Sequence, residues 1–147
     1  MGPDTGVFTD GGATPNPGPG GWGVVWVEQG VIRGERHGHD PDTTNNRMEL
    51  TALWEALKLV PAGTPVTVHA DSELVVNTFT KWANSWKRNG WKRKTGPIKN
   101  LDLVQAIHEV IEKRPEVSLI WVPAHAGWRW NEYADSLAGA WSRKPKR

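Results

Sequence analysis

Apolar and polar positions first alternate along the chain and then change period. Gly6 to Thr9 starts a strand that Asp10 continues or closes, and Trp22 to Val27 (WGVVWV) and Val31 to Arg36 read as two more, joined around Glu28-Gln29-Gly30. Strand, turn, strand, turn, strand at this spacing predicts an antiparallel meander. The glycine- and proline-rich run from Gly11 to Gly21 predicts a tight turn or ordered loop, and His37-Gly38-His39 a polar connection. A helical period follows. Met48, Leu50, Leu53, Trp54, Leu57 and Val60 are apolar, behind the cap-rich Asp42-Thr43-Thr44-Asn45-Asn46 and ahead of Pro61. Val66 to Ala70 (VTVHA) is a short strand with Asp71-Ser72 at its end, where a helix begins that Leu74, Val75, Thr78, Phe79 and Trp82 continue. Leu101, Val104, Ile107, His108 and Ile111 mark another helical face, and Val117 to Val122 the last strand. Asn131 to Trp141 is the final helix, with Ala134, Leu137, Ala138 and Trp141 on its buried stripe.

The order is therefore βββ-α-β-α-α-β-α. Strands that alternate with helices need crossover connections and so become parallel neighbours. The expected fold is α/β: a five-stranded mixed sheet, antiparallel meander plus parallel half, flanked by helices. No repeat or linker divides the chain, so one domain is expected over residues 1–147, with a basic segment about 82–99 and a frayed basic tail 142–147.

Composition narrows the chemistry. The 147 residues contain no cysteine, which excludes a disulfide framework, a cysteine–zinc site, an iron–sulfur cluster and a thiol nucleophile. No apolar run is long enough to span a membrane, and Met1-Gly2-Pro3-Asp4 lacks the regions of a signal peptide. A soluble, cytoplasmic protein without membrane contact is expected. The net charge of +2 hides its distribution. Leu74 to Leu101 holds no acidic residue but has Lys81, Lys87, Arg88, Lys92, Arg93, Lys94 and Lys99. Arg143, Lys144, Lys146 and Arg147 form a basic tail, and without these eleven cations the remainder is −9. An acidic body with basic extensions suits a polyanion bound beside carboxylates. Three of the ten tryptophans, Trp82, Trp86 and Trp91, fall inside the basic segment.

Four carboxylates are placed to meet at one end of such a sheet: Asp10 on the first strand, Asp71 at the end of VTVHA, Glu49 in the first turn of the first helix and Asp135 in the first half of the last. Each has an ordinary alternative. Asp71 can cap a helix, Glu49 can complement a helix dipole, Asp10 can open a turn, and Asp135 can be a solvated helix residue. As a set they would repel unless cations lay among them, and Mg²⁺ takes such oxygen ligands. Two such ions can activate water and stabilise a leaving oxygen in phosphodiester hydrolysis. His125, in Pro123-Ala124-His125-Ala126-Gly127, is either a proton shuttle or a solvated loop histidine. In the basic segment, Trp82 and Trp86 stand at i, i+4 and can pack together, while Lys87, Arg88, Lys92, Arg93 and Lys94 make a phosphate-tracking face.

The strings Phe8-Thr9-Asp10-Gly11-Gly12, Asn16-Pro17-Gly18-Pro19-Gly20-Gly21-Trp22-Gly23 and Thr44-Asn45-Asn46-Arg47-Met48-Glu49-Leu50 resemble those of type 1 ribonuclease H. So do Asp71-Ser72, the Trp-Lys-Arg-Asn-Gly-Trp-Lys segment from Trp86, and His125-Ala126-Gly127 followed by Asn131-Glu132 and Ala134-Asp135. The resemblance covers nearly the whole chain, in order. It implies an endonuclease that cuts the RNA strand of RNA–DNA hybrids, leaving 5′-phosphate and 3′-hydroxyl ends, with two Mg²⁺ ions that Mn²⁺ can replace. It implies Asp10, Glu49, Asp71 and Asp135 as metal ligands and His125 as the mobile residue of proton transfer or product release. Gly11, Gly12, Ala13, Asn16, Asn45, Asn46 and Glu49 would contact RNA sugars, whose 2′-hydroxyl separates RNA from DNA. Thr44 and Asn100 would grip a DNA phosphate. The basic protrusion, with Trp82, Trp86, Lys87, Arg88 and Lys92, would lie along the DNA strand. No obligate protein partner is implied, and a monomer is expected.

Three departures stand out: Glu73 where relatives often have glutamine, Ala124 where glycine is common, and the bulky Trp128-Arg129-Trp130 in a loop expected to be mobile. A non-catalytic hybrid-binding module of the same fold is the alternative, but none of the four carboxylates is missing. A nuclease acting on DNA junctions fits Asn16 and Asn45-Asn46 less well.

Overall fold

The computed structural model describes residues 2–142. Strand β1 (Gly6–Ala13), β2 (Gly18–Glu28) and β3 (Val31–Thr43) form the antiparallel meander; β4 (Val66–Ala70) and β5 (Val117–Trp121) add the parallel half. The order across the sheet is β3-β2-β1-β4-β5, with β1 and β4 parallel neighbours.

The meander is longer than the side-chain pattern predicts. Gly11, Gly12 and Ala13 pair with Trp22, Gly21 and Gly20, so most of the expected loop from Gly11 to Gly21 is ladder and only its middle turns. Likewise His37, Gly38 and His39, expected as a connection, pair with Gly23, Trp22 and Gly21 inside β3. Glycine contributes no side chain to an alternating pattern, so a glycine strand is silent in sequence. Two of these glycines are demanded by close approach. A Cβ on Gly11 would lie 2.6 Å from the Glu49 backbone nitrogen, and one on Gly23 would lie 2.6 Å from the Ala134 carbonyl oxygen and the Leu137 Cβ. Two helices therefore rest on β1 and β2 where a side chain would hold them off.

The first of these is α1 (Asn45–Leu59). It starts at Thr44, whose hydroxyl oxygen accepts from the Arg47 N–H at 3.1 Å, and ends before Pro61. Its last carbonyls are closed by the buried Arg114, which donates to Leu57 and Val60. Because α1 starts at Asn45, Glu49 lies in its second turn rather than its first, and the helix-dipole alternative for it falls away. Leu50, Leu53 and Leu57 bury against Val7, Val24 and Val68 of the sheet and Ile107 of α4 (Leu101–Lys113). Each such side chain contributes about 1.5–3 kcal/mol.

Ser72, not Asp71, caps α2 (Glu73–Asn77), accepting from Val75 N–H at 3.2 Å. The expected continuous helix through Trp82 is interrupted by a π turn at Thr78–Trp82 before α3 (Ala83–Arg88). The hydroxyls of Thr78 and Thr80 donate back to the Leu74 and Val76 carbonyls there. Leu74 stands exposed.

The opposite face of the sheet is covered by α5 (Arg129–Ala138), with Phe8, Val25, Val27, Trp130 and Ala134 as a second core. This helix starts earlier and ends earlier than predicted. Trp128 is its N-cap residue, Arg129 and Trp130 are helical, Asp135 falls in its second half, and Trp141 belongs to a separate 3-10 turn (Ala140–Ser142) with 37% exposure instead of burial. Ser142, expected to fray, is in that turn and donates to Gly139. The rest of the predicted frayed tail lies outside the described residues. Among the described residues, no helix is long and apolar enough to cross a membrane.

Candidate active site

The register of β1 against β4 builds the site. Val7, Phe8 and Thr9 pair with Val68, His69 and Ala70, so the next position on each chain is Asp10 and Asp71. Phe8 and His69 stack face to face at 4.4 Å, and alternation puts Asp10 and Asp71, two residues on, over the same face. Asp10 is paired across the ladder with Gly23, the glycine on which α5 rests, and this brings Asp135 alongside. Asp10 lies within hydrogen-bonding reach of both Asp71 and Asp135. The Trp121 indole N–H donates to the Asp71 carbonyl at 3.3 Å and ties β5 to this end of the sheet.

Burial, followed by the charges of Asp71 and Asp135, pushes the Asp10 carboxyl up to about 9. Asp71 is raised as well, by burial first. Glu49 is pushed up to about 7 by burial and by the charge of Asp71, partly offset by a hydrogen bond with Ser72. Carboxylates crowded this way carry an unfavourable charge that a proton or a cation relieves.

Asp10, Asp71, Asp135 and His125 line a cleft of about 460 Å³, with Gly11 and Gly12 at its wall. His125 is exposed in its loop with φ 57°, a left-handed conformation that side chains other than glycine seldom adopt. Glu49 does not line this cleft. It opens with Ser72 and Glu73 onto a neighbouring groove of about 870 Å³, also lined by Asn16, Asn45 and Asn100. Thr44, Asn46 and Lys99 line the same groove.

The two asparagines are tied into the frame. Asn45 Oδ1 accepts from Ala13 N–H at 2.7 Å, and Asn16 Oδ1 accepts from Asn45 N–H at 3.1 Å. With their oxygens engaged, their amide nitrogens are left as donors. Asn100, left-handed at φ 56°, accepts from Arg47, which also makes a two-pronged bond to Asp102 at 2.9 and 3.0 Å.

The protrusion residues divide. Trp82 and Trp86 do stack, at 6.1 Å, and Trp86 lies under the Arg93 guanidinium at 5.8 Å. Arg88 and Lys92 stand exposed. Lys87 is instead held by Glu112 of α4 at 2.6 Å, beside the buried His108 and away from the groove. Ser72, Lys99 and Trp141 line the two cavities without having been singled out as site residues. Ser72 takes the cap that the sequence pattern offers to its neighbour Asp71, and Trp141 falls on the stripe expected to be buried.

The donor set suits a hard cation: carboxylate oxygens, with no cysteine thiolate in the chain to favour a softer metal. Among the described residues no three acidic or histidine side chains close into a metal cage by themselves. Mg²⁺ needs none, since it binds through one or two carboxylates and completes its shell with waters and substrate phosphates. Asp10, Asp71, Asp135 and Glu49 fit that mode.

The family model for RNase H matches residues 3–143. The chain is 47% identical over 140 residues to a ribonuclease H of Methylorubrum extorquens (strain PA1), covering 94% of this chain but 60% of that longer relative. It is 47% identical over 133 residues to the ribonuclease H of Hyphomonas neptunium, covering 90% of this chain and 87% of that one. Its fold is similar to that of LC11-RNase H1, solved in complex with RNA/DNA hybrid, with a TM-score of 0.67 and 30% identity over 91% of this chain and 93% of the other. With the match spanning both strands and helices that build the cleft, the chain belongs to the ribonuclease H family.

Proposed function

We propose that the protein is a metal-dependent endonuclease that hydrolyses the RNA strand of RNA–DNA hybrids, leaving 5′-phosphate and 3′-hydroxyl ends. The observation that carries this reading is the apposition of Asp10, Asp71 and Asp135 where the pairing of β1 with β4 stops, beside a groove edged by Asn16 and Asn45. In the proposed reaction, Asp10 and Asp71 hold the cation site from the sheet, Asp135 from α5 and Glu49 from α1 with Ser72. Two Mg²⁺ ions, or Mn²⁺ in their place, would supply there the positive charge that activates water and stabilises a leaving oxygen. Asn16 and Asn45 direct their amide donors at ribose 2′-hydroxyls, and the backbone from Gly11 to Ala13 follows the same strand. Thr44 and Asn100 receive a phosphate of the DNA strand, with Asn46 beside them. His125 takes up or returns a proton on an imidazole nitrogen. Residues 1–147 form one catalytic domain. One chain supplies every residue named, so the reading requires no second subunit, and we place the protein in the cytoplasm as a monomer.

The test is cleavage of an end-labelled RNA–DNA duplex in Mg²⁺, beside RNA–RNA, DNA–DNA and single-stranded RNA, with an EDTA control. Cutting confined to the hybrid's RNA strand and lost with EDTA is expected. Asp10→Asn should abolish the cutting while hybrid binding persists; turnover retained in this variant would sink the metal-ligand roles. Binding without cutting by the unmodified chain, in either Mg²⁺ or Mn²⁺, would favour the non-catalytic module.

A further inference from the structure

The carboxylate cleft is lined by a tryptophan that the proposed reaction does not use. Trp141, in the turn that follows α5, lines the same cavity as Asp10, Asp71 and His125. Its indole is 37% exposed yet firmly seated. It stacks on His39 of β3 with ring centroids 5.6 Å apart and planes 12° from parallel. Its five-membered edge fills the space over Gly21, where a Cβ would overlap the ring. Ser142 Oγ donates to the Gly139 carbonyl at 2.8 Å and closes the turn. Trp86 and Trp91 of the protrusion pack against the core on the α1 face of the sheet, whereas Trp141 follows α5, which covers the other face, and alone among the tryptophans lines the carboxylate cleft.

We propose that Trp141, braced by His39, is a second nucleic-acid contact that packs its indole against the ribose–phosphate backbone entering the cleft. This rests on the reading of the cleft as a nucleic-acid site. A rigid, exposed indole binds such a ligand at little entropic cost, because its geometry is already fixed. The sequence that follows, Arg143-Lys144-Pro145-Lys146-Arg147, places four cations directly after it and favours a phosphate-bearing partner over an apolar one.

The experiment is binding of a short fluorescently labelled RNA–DNA hybrid, with Ca²⁺ replacing Mg²⁺ to prevent turnover, for the unmodified protein, Trp141→Ala, Trp141→Phe, His39→Ala and the Trp141→Ala/His39→Ala pair. Thermal melting of each is recorded alongside. Trp141→Ala should weaken binding about 5- to 20-fold, as loss of an aromatic nucleic-acid contact does, and Trp141→Phe should restore most of it. His39→Ala should weaken binding less, and should add almost nothing once Trp141 is alanine, because it acts through the stack. Equal binding by the unmodified protein and Trp141→Ala would overturn the proposal. So would equal losses in the Ala and Phe variants accompanied by a lowered melting temperature, which mark a structural role. A protein that binds the hybrid through Trp141 but fails to cut it in Mg²⁺ would leave this contact standing and remove the hydrolase reading. Failure of the unmodified protein to bind hybrid at all would remove both.

Discussion

Asp10 shows how one side chain couples stability to the site. Its folded-state pKa, about 9, lies above the ordinary 3.8, chiefly through burial and then through Asp71. Between those values the folded protein holds a proton that the unfolded chain releases. This carboxyl therefore favours folding in acid, and the advantage drains away as pH rises through that window. In EDTA, the melting temperature should fall from pH 5 to pH 8, and Asp10→Asn should melt higher at pH 8 with a shallower pH slope. After allowance for solvent screening the gain is about 1–2 kcal/mol, or roughly 3–6 °C. Parallel slopes in the two proteins would show that Asp10 does not carry the strain. Asp10 and Asp71 are visible in the sequence because each directly follows an apolar strand run, although β1 continues past Asp10 to Ala13, and the capping alternative for Asp71 is settled only by the Ser72 hydroxyl taking the cap. That Glu49 opens onto the second groove was not readable, because α1 begins at Asn45 and turns it away from the cleft that holds the other three.

At the scale of elements, the site exists because two helices sit unusually close to two strands. Gly11 admits α1, which brings Glu49 within range of the charge of Asp71, and Gly23 admits α5, which brings Asp135 beside Asp10. Gly11→Ala would press a Cβ against the backbone of Met48 and Glu49, which cannot rotate away, so α1 must shift. The expected cost is about 1–3 kcal/mol of stability. Displacement of Glu49 should lower cleavage by a further factor on the order of 100. Gly34→Ala, which meets only the end of the Leu59 side chain, should leave cleavage unchanged. Equal kcat in the Gly11 variant and the unmodified protein would mean that the close approach does not position Glu49. The element order, the β1–β4 pairing and the apolar faces of α1 and α4 follow from hydrophobic period. The extended ends of β1, β2 and β3 do not, since their glycines and polar residues mimic a loop and are held in the ladder by what packs on them. The π turn escaped for a related reason: it leaves the apolar spacing of a helix almost intact while side-chain hydroxyls rearrange the backbone bonds.

For the whole molecule, the division into an acidic body and a basic protrusion decides how a polyanion is oriented, and the structure separates the cations that can take part. Lys87 is engaged by Glu112, and Arg93 donates to the Gly96 and Pro97 carbonyls, so these two hold the protrusion's own shape. Arg88, Lys92 and Lys94 are exposed, and among the described residues none of them forms an ion pair. Each phosphate neutralised on a duplex releases condensed counterions and adds about 0.9 to the slope of log K against log salt. Replacing Arg88, Lys92 and Lys94 together by alanine should therefore flatten the slope of hybrid binding by about 2–3 while leaving the melting temperature nearly unchanged. Lys87→Ala should behave the other way. It leaves Glu112 with only the buried His108, 3.5 Å away and without a hydrogen bond on either ring nitrogen, and should loosen α3 from α4 with little change in slope. The check is a salt titration of hybrid binding for both variants beside thermal melts. An unchanged slope in the triple variant would reduce the protrusion to a structural appendage, whereas a slope lost through Lys87 alone would mean that its bond to Glu112 opens when nucleic acid arrives.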